Sequence, residues 1–324
     1  MLMNEAVLPS KIPAPSSGAK GVYADLSDLV RLRYRARGFT FLPRQPVHSI
    51  LAGRHASRLR GRGLNFDEIR RYLPGDDIRQ MDWKVTARTR IPHTRVYTEE
   101  HGRSTLLVVD QRLSMFFGSR ENFKSVTAAQ TAAVAAWRVI AMKDLVGAVI
   151  FDDASVEIIP PAGSSGHVMR MLGRIVEKNR ALSNDAGIVP GPQMLNAALS
   201  RTMELAKHDT LVFVITDGIG HDDDTRKWLS RIASHNDVMV ALINDPLEVN
   251  LPDAGSKVFG RGDLQLEVDT GSKKLREAFQ QDFAERREAA QRFLIQREVP
   301  LMSVSTDEDV VLQFRRLLGQ RSRR

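Results

Sequence analysis

Two stretches of sequence decide the fold: LLVVDQRLSMFFG over residues 106–118 and LVFVITDG over residues 211–218. Each begins as an apolar run typical of a buried strand, and the runs end in Asp110 and Asp217 respectively. Ser114 follows Asp110 four positions later. Because the carboxyl ends of strands in an open parallel sheet meet at one crevice, we expect these three side chains to lie close together.

Apolar strands alternate with segments of helical periodicity from residue 104 to residue 320. Continuous apolar strands are typical of a parallel sheet covered on both faces, because strands with one exposed face alternate apolar and polar residues. The sequence therefore predicts an α/β domain with a Rossmann-like, mostly parallel sheet and helices on both faces. Residues 155–161 are expected to form a hairpin or edge strand, and residues 272–298 a long charged helix.

The part of the chain before this domain has a different composition. Residues 1–20 contain several prolines and are predicted to be a flexible tail, whereas residues 24–37 have the spacing of an amphipathic helix. Residues 47–103 are rich in arginine and glycine and favour a small β-containing module. We group the helix and the module as one N-terminal unit over residues 21–103, and residues 321–324 as a basic tail.

The composition favours an anionic partner, which could be nucleic acid, an acidic protein face or anionic lipid. The 324 residues carry a formal net charge of +8, and Arg54, Arg58, Arg60 and Arg62 form a cluster. This cluster leaves a nucleic-acid-binding module over residues 54–62 open as an alternative function. It lacks the interleaved aromatic residues of a single-strand platform and accompanies no known nucleic-acid motif, so nucleic acid is not the expected partner.

Other compositional features limit the chemistry and the location. The chain has no cysteine, which excludes disulfides, thiolate metal sites and cysteine nucleophiles. No apolar run reaches the roughly 18 to 20 residues that a membrane span needs. We therefore expect no membrane segment and a cytoplasmic location.

Residues 61–100 contain an ordered series of glycine, aromatic, arginine and aspartate residues. The series comprises Gly61, Gly63, Phe66, Arg71, Tyr72, Pro74, Gly75, Asp76, Asp77, Arg79, Asp82, Trp83, Ala87, Arg88 and Thr89. It resembles the hallmark of the domain of unknown function 58 family, and the resemblance extends over nearly the whole chain after residue 22. The resemblance implies a von Willebrand factor A-like fold. It also implies association with MoxR-type AAA ATPases and with other von Willebrand A proteins.

The three aspartates of this hallmark segment, Asp76, Asp77 and Asp82, lie among arginines. We interpret them as a turn and salt-bridge network that attaches the small module to the large domain. An acid/base or metal cluster is the alternative. Trp83 is expected to be a packing anchor.

The family resemblance also implies a metal-ion-dependent adhesion site. Such a site holds Mg²⁺ through an Asp-x-Ser-x-Ser loop, a threonine of a second loop and an aspartate of a third, which are ligands that hard cations prefer. By resemblance, Asp110 is the first carboxylate, Ser114 the second hydroxyl and Asp217 the third-loop aspartate. Arg112 stands in place of the first hydroxyl, and Gln193 lies where the threonine is expected.

Arginine does not ligate cations, so the site is degenerate. A guanidinium at Arg112 can replace the metal by bidentate pairing with Asp110 or Asp217, and no cofactor is then expected. Mg²⁺ held by Asp110, Ser114 and Asp217 is the alternative. A third interpretation is that the aspartates only cap loops and helix N-termini.

The sequence contains no nucleophile elbow, Walker loop or zinc-binding histidine pair, and no general base is visible beside a nucleophile. We therefore expect a protein-protein interaction protein without enzymatic activity, acting as an adaptor for a MoxR-type ATPase in assembling or maturing another complex. Its expected docking point is the crevice formed by Asp110, Arg112, Ser114, Gln193 and Asp217. A Mg²⁺-binding von Willebrand A domain stays open as an alternative, and a metal-dependent hydrolase has the least support.

Overall fold

A computed structural model describes most of the chain. The described residues are 21–37, 39, 64–73, 76, 78, 81–99, 102–183, 187–261, 264–297 and 299–318. The predicted tail over residues 1–20, the arginine cluster over residues 54–62 and the basic tail over residues 321–324 lie outside them. So do six residues of the hallmark segment, which are Gly61, Gly63, Pro74, Gly75, Asp77 and Arg79.

The described residues form alternating strands and helices. The strands are β1 Leu64–Arg71, β2 His93–Glu99, β3 Ser104–Asp110, β4 Leu145–Phe151, β5 Val156–Ala162, β6 Leu211–Thr216, β7 Asp237–Asn244, β8 Ser256–Arg261, β9 Leu264–Asp269 and β10 Leu301–Ser305. The helices are α1 Leu26–Arg31, α2 Trp83–Thr89, α3 Lys124–Ala141, α4 Ser165–Arg180, α5 Met194–Leu205, α6 Asp223–Ala233, α7 Pro246–Val249, α8 Lys273–Gln296 and α9 Val310–Leu318. Short 3-10 helices cover Leu32–Tyr34 and Leu113–Met115.

A six-stranded sheet in the order β10-β7-β6-β3-β4-β5 forms the centre of the molecule. Five of its strands are parallel, and β5 pairs antiparallel with β4 at one edge. This confirms the predicted mostly parallel sheet and the edge strand over residues 155–161. Because β3 lies between β4 and β6, their carboxyl ends are neighbours.

Both faces of the sheet are buried under helices. Leu107 and Val109 of β3 belong to a core that includes residues of α1, α3, α4 and α9, whereas Leu106 and Val108 belong to a core that includes residues of α5, α6 and α8. Successive side chains of a strand point to opposite faces, so these cores lie on opposite sides of the sheet. Each fully buried leucine or valine contributes about 1.5–3 kcal/mol. The predicted double coverage is confirmed.

The N-terminal helix belongs to the large domain rather than to the small module with which the sequence grouped it. Leu29 of α1 is buried in the first core, and its carbonyl accepts a hydrogen bond of 3.0 Å from the indole nitrogen of Trp137 in α3. The backbone nitrogen of Ala24 donates to Asn179 Oδ1 of α4 at 2.7 Å. The alanine-rich surface of α3 allows this close approach. The other domain boundaries stay predictions.

The small module contains the antiparallel β1–β2 hairpin and α2. Asp82 begins α2 by accepting hydrogen bonds from the backbone nitrogens of Lys84 and Val85, both at 3.0 Å, and Asp76 accepts one from Leu73 at 2.8 Å. The Asp82 carboxylate therefore caps α2, and the Asp76 carboxylate closes a turn. The expectation that Trp83 anchors the packing is wrong, because its side chain is 66% exposed. The partly buried residues of this short helix are Val85 and Thr86.

Candidate functional site

The two aspartates at the strand ends lie side by side and are buried. Val109 of β3 is paired with Ile215 of β6, so Asp110 and Asp217 reach the same edge of the sheet. Arg112 connects them, because its Nη2 lies 2.7 Å from Asp110 Oδ2 and 3.7 Å from Asp217 Oδ1. The convergence expected from the sequence is present, and its positive partner is a side chain.

Arg112 pairs with Asp110 in the bidentate manner expected. Its Nε donates to Asp110 Oδ1 at 3.0 Å, and its Nη2 donates to Oδ2 at 2.7 Å. Its backbone nitrogen also donates to Oδ1 at 3.0 Å. The hydroxyl of Thr216 donates to Asp110 Oδ2 at 2.7 Å. The guanidinium carbon stands 5.4 Å from the centre of the Phe151 ring, which is a cation–π contact. Arg112 is only 1% exposed, so its charge is directed into the protein.

Arg112 also ties together two loops at the carboxyl edge, residues 187–193 and 217–222, which we call the docking loops after the docking point expected from the sequence. Nη1 donates to the Pro192 carbonyl at 3.2 Å and Nη2 to the Ile219 carbonyl at 3.0 Å. The loops touch, since a Cβ atom at Gly220 would lie 2.7 Å from Cβ of Pro192. Gly220 has a φ of +82°, a conformation that also favours glycine. One buried guanidinium therefore fixes the relative position of both docking loops.

A second buried cation, Lys124, was missed by the sequence analysis. It is the first residue of α3, and its Nζ lies 3.1 Å from Asp217 Oδ2 and 2.5 Å from Glu248 Oε1. A cation is unfavourable at a helix N-terminus, so this lysine depends on the two carboxylates. The signal that could have revealed it is a lysine at the start of an alanine-rich apolar helix, directly after the loop of Arg112.

The charges in this cluster compensate one another. Burial alone would raise the pKa of the Asp217 carboxyl, but Lys124, the Ile219 backbone N–H and Arg112 outweigh burial, so that pKa lies below its usual value. Burial would lower the pKa of Lys124, but Asp217 and Glu248 outweigh burial and raise it. For Asp110 burial is the largest influence and raises the pKa of its carboxyl against the opposing effect of Arg112.

Two residues of the predicted crevice take no part in these ion pairs. Gln193 is exposed at the start of α5, and its side chain makes no capping hydrogen bond. None of the hydrogen bonds to Asp110 or Asp217 within the described ranges comes from Gln193. Ser114 Oγ is buried and has no hydrogen-bond partner in the described part of the chain. The equivalence of Gln193 with a ligand residue is thus not supported by the geometry.

The residues at this edge do not fit Mg²⁺. Both oxygens of Asp110 accept hydrogen bonds from Arg112, and Asp217 lies within 3.1 Å of Lys124. A divalent cation between these carboxylates would have to displace two buried positive groups. Over the residues that the structure describes, no group of three or more histidine and acidic side chains could hold a metal ion.

Asp153 is another residue that the sequence analysis missed. It follows β4, and its carboxylate accepts hydrogen bonds from the backbone nitrogens of Leu113 at 2.6 Å and Gly191 at 2.8 Å. It therefore joins the segment of Arg112 to the docking loop over residues 187–193. The available signal was a third acidic residue at a strand end, next to the apolar run over residues 145–151.

Comparisons with known proteins agree with the resemblance in the sequence. The family described as "Protein of unknown function DUF58" matches residues 68–289. A protein of Mycobacterium tuberculosis and one of Mycobacterium bovis, both described only as uncharacterized, are each 30% identical over 331 residues, covering 99% of this chain and 98% of the relative.

Two solved structures show a more distant likeness. A conserved hypothetical protein BatB from Bacteroides thetaiotaomicron has 14% identity and a TM-score of 0.38, covering 65% of this chain and 94% of its own. An aerotolerance-related membrane protein from Bacteroides fragilis has 14% identity and a TM-score of 0.37, covering 67% and 96%. Within the described residues of the present chain, none of the helices has the length and apolar character of a membrane span.

Proposed function

This chain belongs to the DUF58 family, and we propose that it is a cytoplasmic adaptor of the von Willebrand factor A type, without enzymatic activity, that docks on another protein through its docking loops. The observation that carries the proposal is Arg112, which holds both loops from inside the protein. In a metal-dependent site a bound cation orders such loops. Here a side chain does so, and the loops need no added ion.

The position of Arg112 changes how a partner would be recognised. Arg112 is 1% exposed and already paired with Asp110, so its charge is not available to an acidic group of a partner. The docking loops instead present Val189, which is 80% exposed, and Ile219, which is 48% exposed. We therefore place the contact on exposed apolar side chains of the loops, with the ion pairs beneath them as support.

The family resemblance favours a MoxR-type AAA ATPase as the partner. The first test measures binding between the purified chain and the purified MoxR-type ATPase of the same organism by calorimetry. Ile219→Asp is expected to weaken binding at least tenfold, about 1.4 kcal/mol, because it places a charge in an apolar contact. The backbone carbonyl that accepts from Arg112 stays in place in this variant. Added Mg²⁺ and added chelator are expected to leave the affinity of the chain for its partner unchanged when the ATPase is tested without nucleotide.

Met169→Asp is the matched control, because Met169 lies on α4, away from the docking loops in sequence, and is 47% exposed. It should bind as the unmodified chain does. Equal weakening by both substitutions, or no binding by the unmodified chain, would contradict docking through the loops. Loss of binding in chelator, restored by Mg²⁺, would favour the metal-dependent alternative.

A further inference from the structure

A cavity of about 460 Å³ lies between α8 and the sheet, on the side of β6 that faces β7. This volume is within the range of small-molecule sites, about 300–1,000 Å³. Most of its wall is apolar, with Val214, Val240 and Leu301 from the sheet and Phe279 and Phe293 from α8. At its polar end the cavity shares Lys124 and Asp217 with the ion-pair cluster, whereas Arg112 itself does not line it.

The cavity exists because α8 covers the sheet incompletely. Leu242 is on the same face of β7 as the buried Val240, yet it is only partly buried. The C-terminal part of α8 packs on the sheet through Phe293 and Leu294. Toward its N-terminal end, Phe279 is 38% exposed and lines the cavity, so this end provides a mouth.

The charged side chains that line the cavity leave no net charge for an ionic ligand. They are Lys124, Arg226, Asp217 and Glu248, two of each sign. Lys124 is held by Asp217 and Glu248, and Arg226 pairs with Asp223 at 3.1 Å. A charged head group would have to lose water without gaining an unpaired partner, which is unfavourable.

Asn244 provides a neutral donor at the polar end, where the exposed His221 also lines the cavity. Asn244 lines the cavity and is 9% exposed, and its Oδ1 accepts a hydrogen bond from Ser303 Oγ at 2.8 Å. Its Nδ2 donates to no acceptor within the described residues. We propose that the cavity binds an uncharged, largely apolar molecule that carries a hydroxyl or carbonyl oxygen, with this oxygen accepting from Asn244.

The test uses two fluorescent probes with the same fused rings. N-phenyl-1-naphthylamine is neutral, and anilinonaphthalene sulfonate adds one negative charge. The neutral probe is expected to bind the full chain with one-to-one stoichiometry and at least tenfold more tightly than the sulfonate. Decanol should displace it at about tenfold lower concentration than decanoate or decylamine, since only the head group differs.

The position is tested by filling the cavity. Leu242→Trp is expected to weaken binding of the neutral probe at least tenfold without lowering the thermal midpoint, and Leu301→Phe is a second filling variant should the first fail to fold. Leu312→Trp is the control, since Leu312 lies on α9 and is 57% exposed. It should leave probe binding unchanged.

Three results would overturn the proposal. The first is no saturable binding of the neutral probe. The second is tighter binding of the sulfonate and of decanoate, which would make the site one for anions. The third is unchanged probe affinity in a folded filling variant, which would place the probe elsewhere.

Discussion

The carboxyl edge of the sheet is filled in two different ways on the two sides of β6. On the β3 side, two aspartates, an arginine and a lysine occupy the space with direct ion pairs. On the β7 side, an apolar cavity of about 460 Å³ remains under α8. The first side defines one arrangement, because a bidentate guanidinium has a fixed geometry. The second side leaves room for a variable occupant, because apolar contacts have no direction.

The two sides also differ in what a substitution must disturb. A buried ion pair is weak support for stability as a whole, since both charges have lost their water. Removing one partner, however, leaves the other charge buried and uncompensated. Apolar side chains that line a cavity have fewer packing contacts to lose, so a substitution among them should cost less stability.

The largest effect is expected from Arg112→Met. This substitution removes a cation that is 1% exposed and leaves the Asp110 carboxylate buried with Thr216 as its remaining side-chain donor. The free energy of unfolding should fall by about 3–5 kcal/mol, measured by urea denaturation. If the ion pair is the cause, Asp110→Asn in the same chain should restore part of this loss.

Arg120→Met is the control for this experiment. Arg120 pairs with Asp307 at 3.3 Å, and its side chain is 66% exposed. The loss of such a surface pair should cost less than about 1 kcal/mol. A similar cost for both arginines would show that the buried ion pairs do not fix the β3 side of the sheet edge more firmly than a surface ion pair does.

A smaller effect separates two leucines on the same face of the sheet. Leu106 on β3 is fully buried, whereas Leu242 on β7 is only partly buried beside the cavity. Leucine-to-alanine changes in cores cost about 2–5 kcal/mol, with the larger values where the surroundings were tightly packed. We expect Leu106→Ala near the upper end and Leu242→Ala near the lower end, a difference of about 2 kcal/mol in urea denaturation. Equal costs would argue that the cavity wall packs as tightly as the rest of the core.

The ion pairs on the β3 side of the edge could be predicted from the sequence in large part. The cavity on the β7 side could not. Asp110 and Asp217 end apolar strands, and parallel order alone brings such ends together. Arg112 follows two residues after Asp110, so its pairing is a local matter. Gln193 was assigned by counting along a loop, and a loop position does not fix where a side chain lies.

Lys124 and Trp83 show where local patterns mislead. A lysine at the start of a helix ordinarily lies in solvent, and the carboxylates that bury Lys124 come from β6 and α7, far along the chain. An aromatic residue beside a helix cap ordinarily packs, but Trp83 is 66% exposed. The cavity depends on how closely α8 approaches the sheet, which periodicity does not specify.

The smallest expected effect is the pH-dependent loss of stability when Lys124 is replaced. Lys124, Ile219 N–H and Arg112 hold the pKa of Asp217 below its usual value against burial. A carboxyl with a lowered pKa stabilises the fold above its unfolded pKa, about 3.9, and this contribution is lost as the pH falls through the folded pKa. The charge of Lys124 opposes the rise in the pKa of Asp217 that burial would cause. Lys124→Met removes this charge, so the pKa of Asp217 should rise.

At pH 7 this variant should melt a few degrees below the unmodified chain, measured by calorimetry. The gap should begin to narrow when the pH falls through the raised pKa of Asp217 in the variant. It should close only when the pH is also below the lowered pKa of Asp217 in the unmodified chain, because the carboxyl is then neutral in both proteins. Lys227→Met is the control, since Lys227 pairs with Asp224 at 2.7 Å and both side chains are more than 60% exposed, at 66% and 64%. Its gap should be small at every pH. If the gap for Lys124→Met stays constant from neutral to acid pH, the lysine contributes packing rather than charge. The ion pairs on the β3 side of β6 would then not be what fixes the arrangement of side chains there.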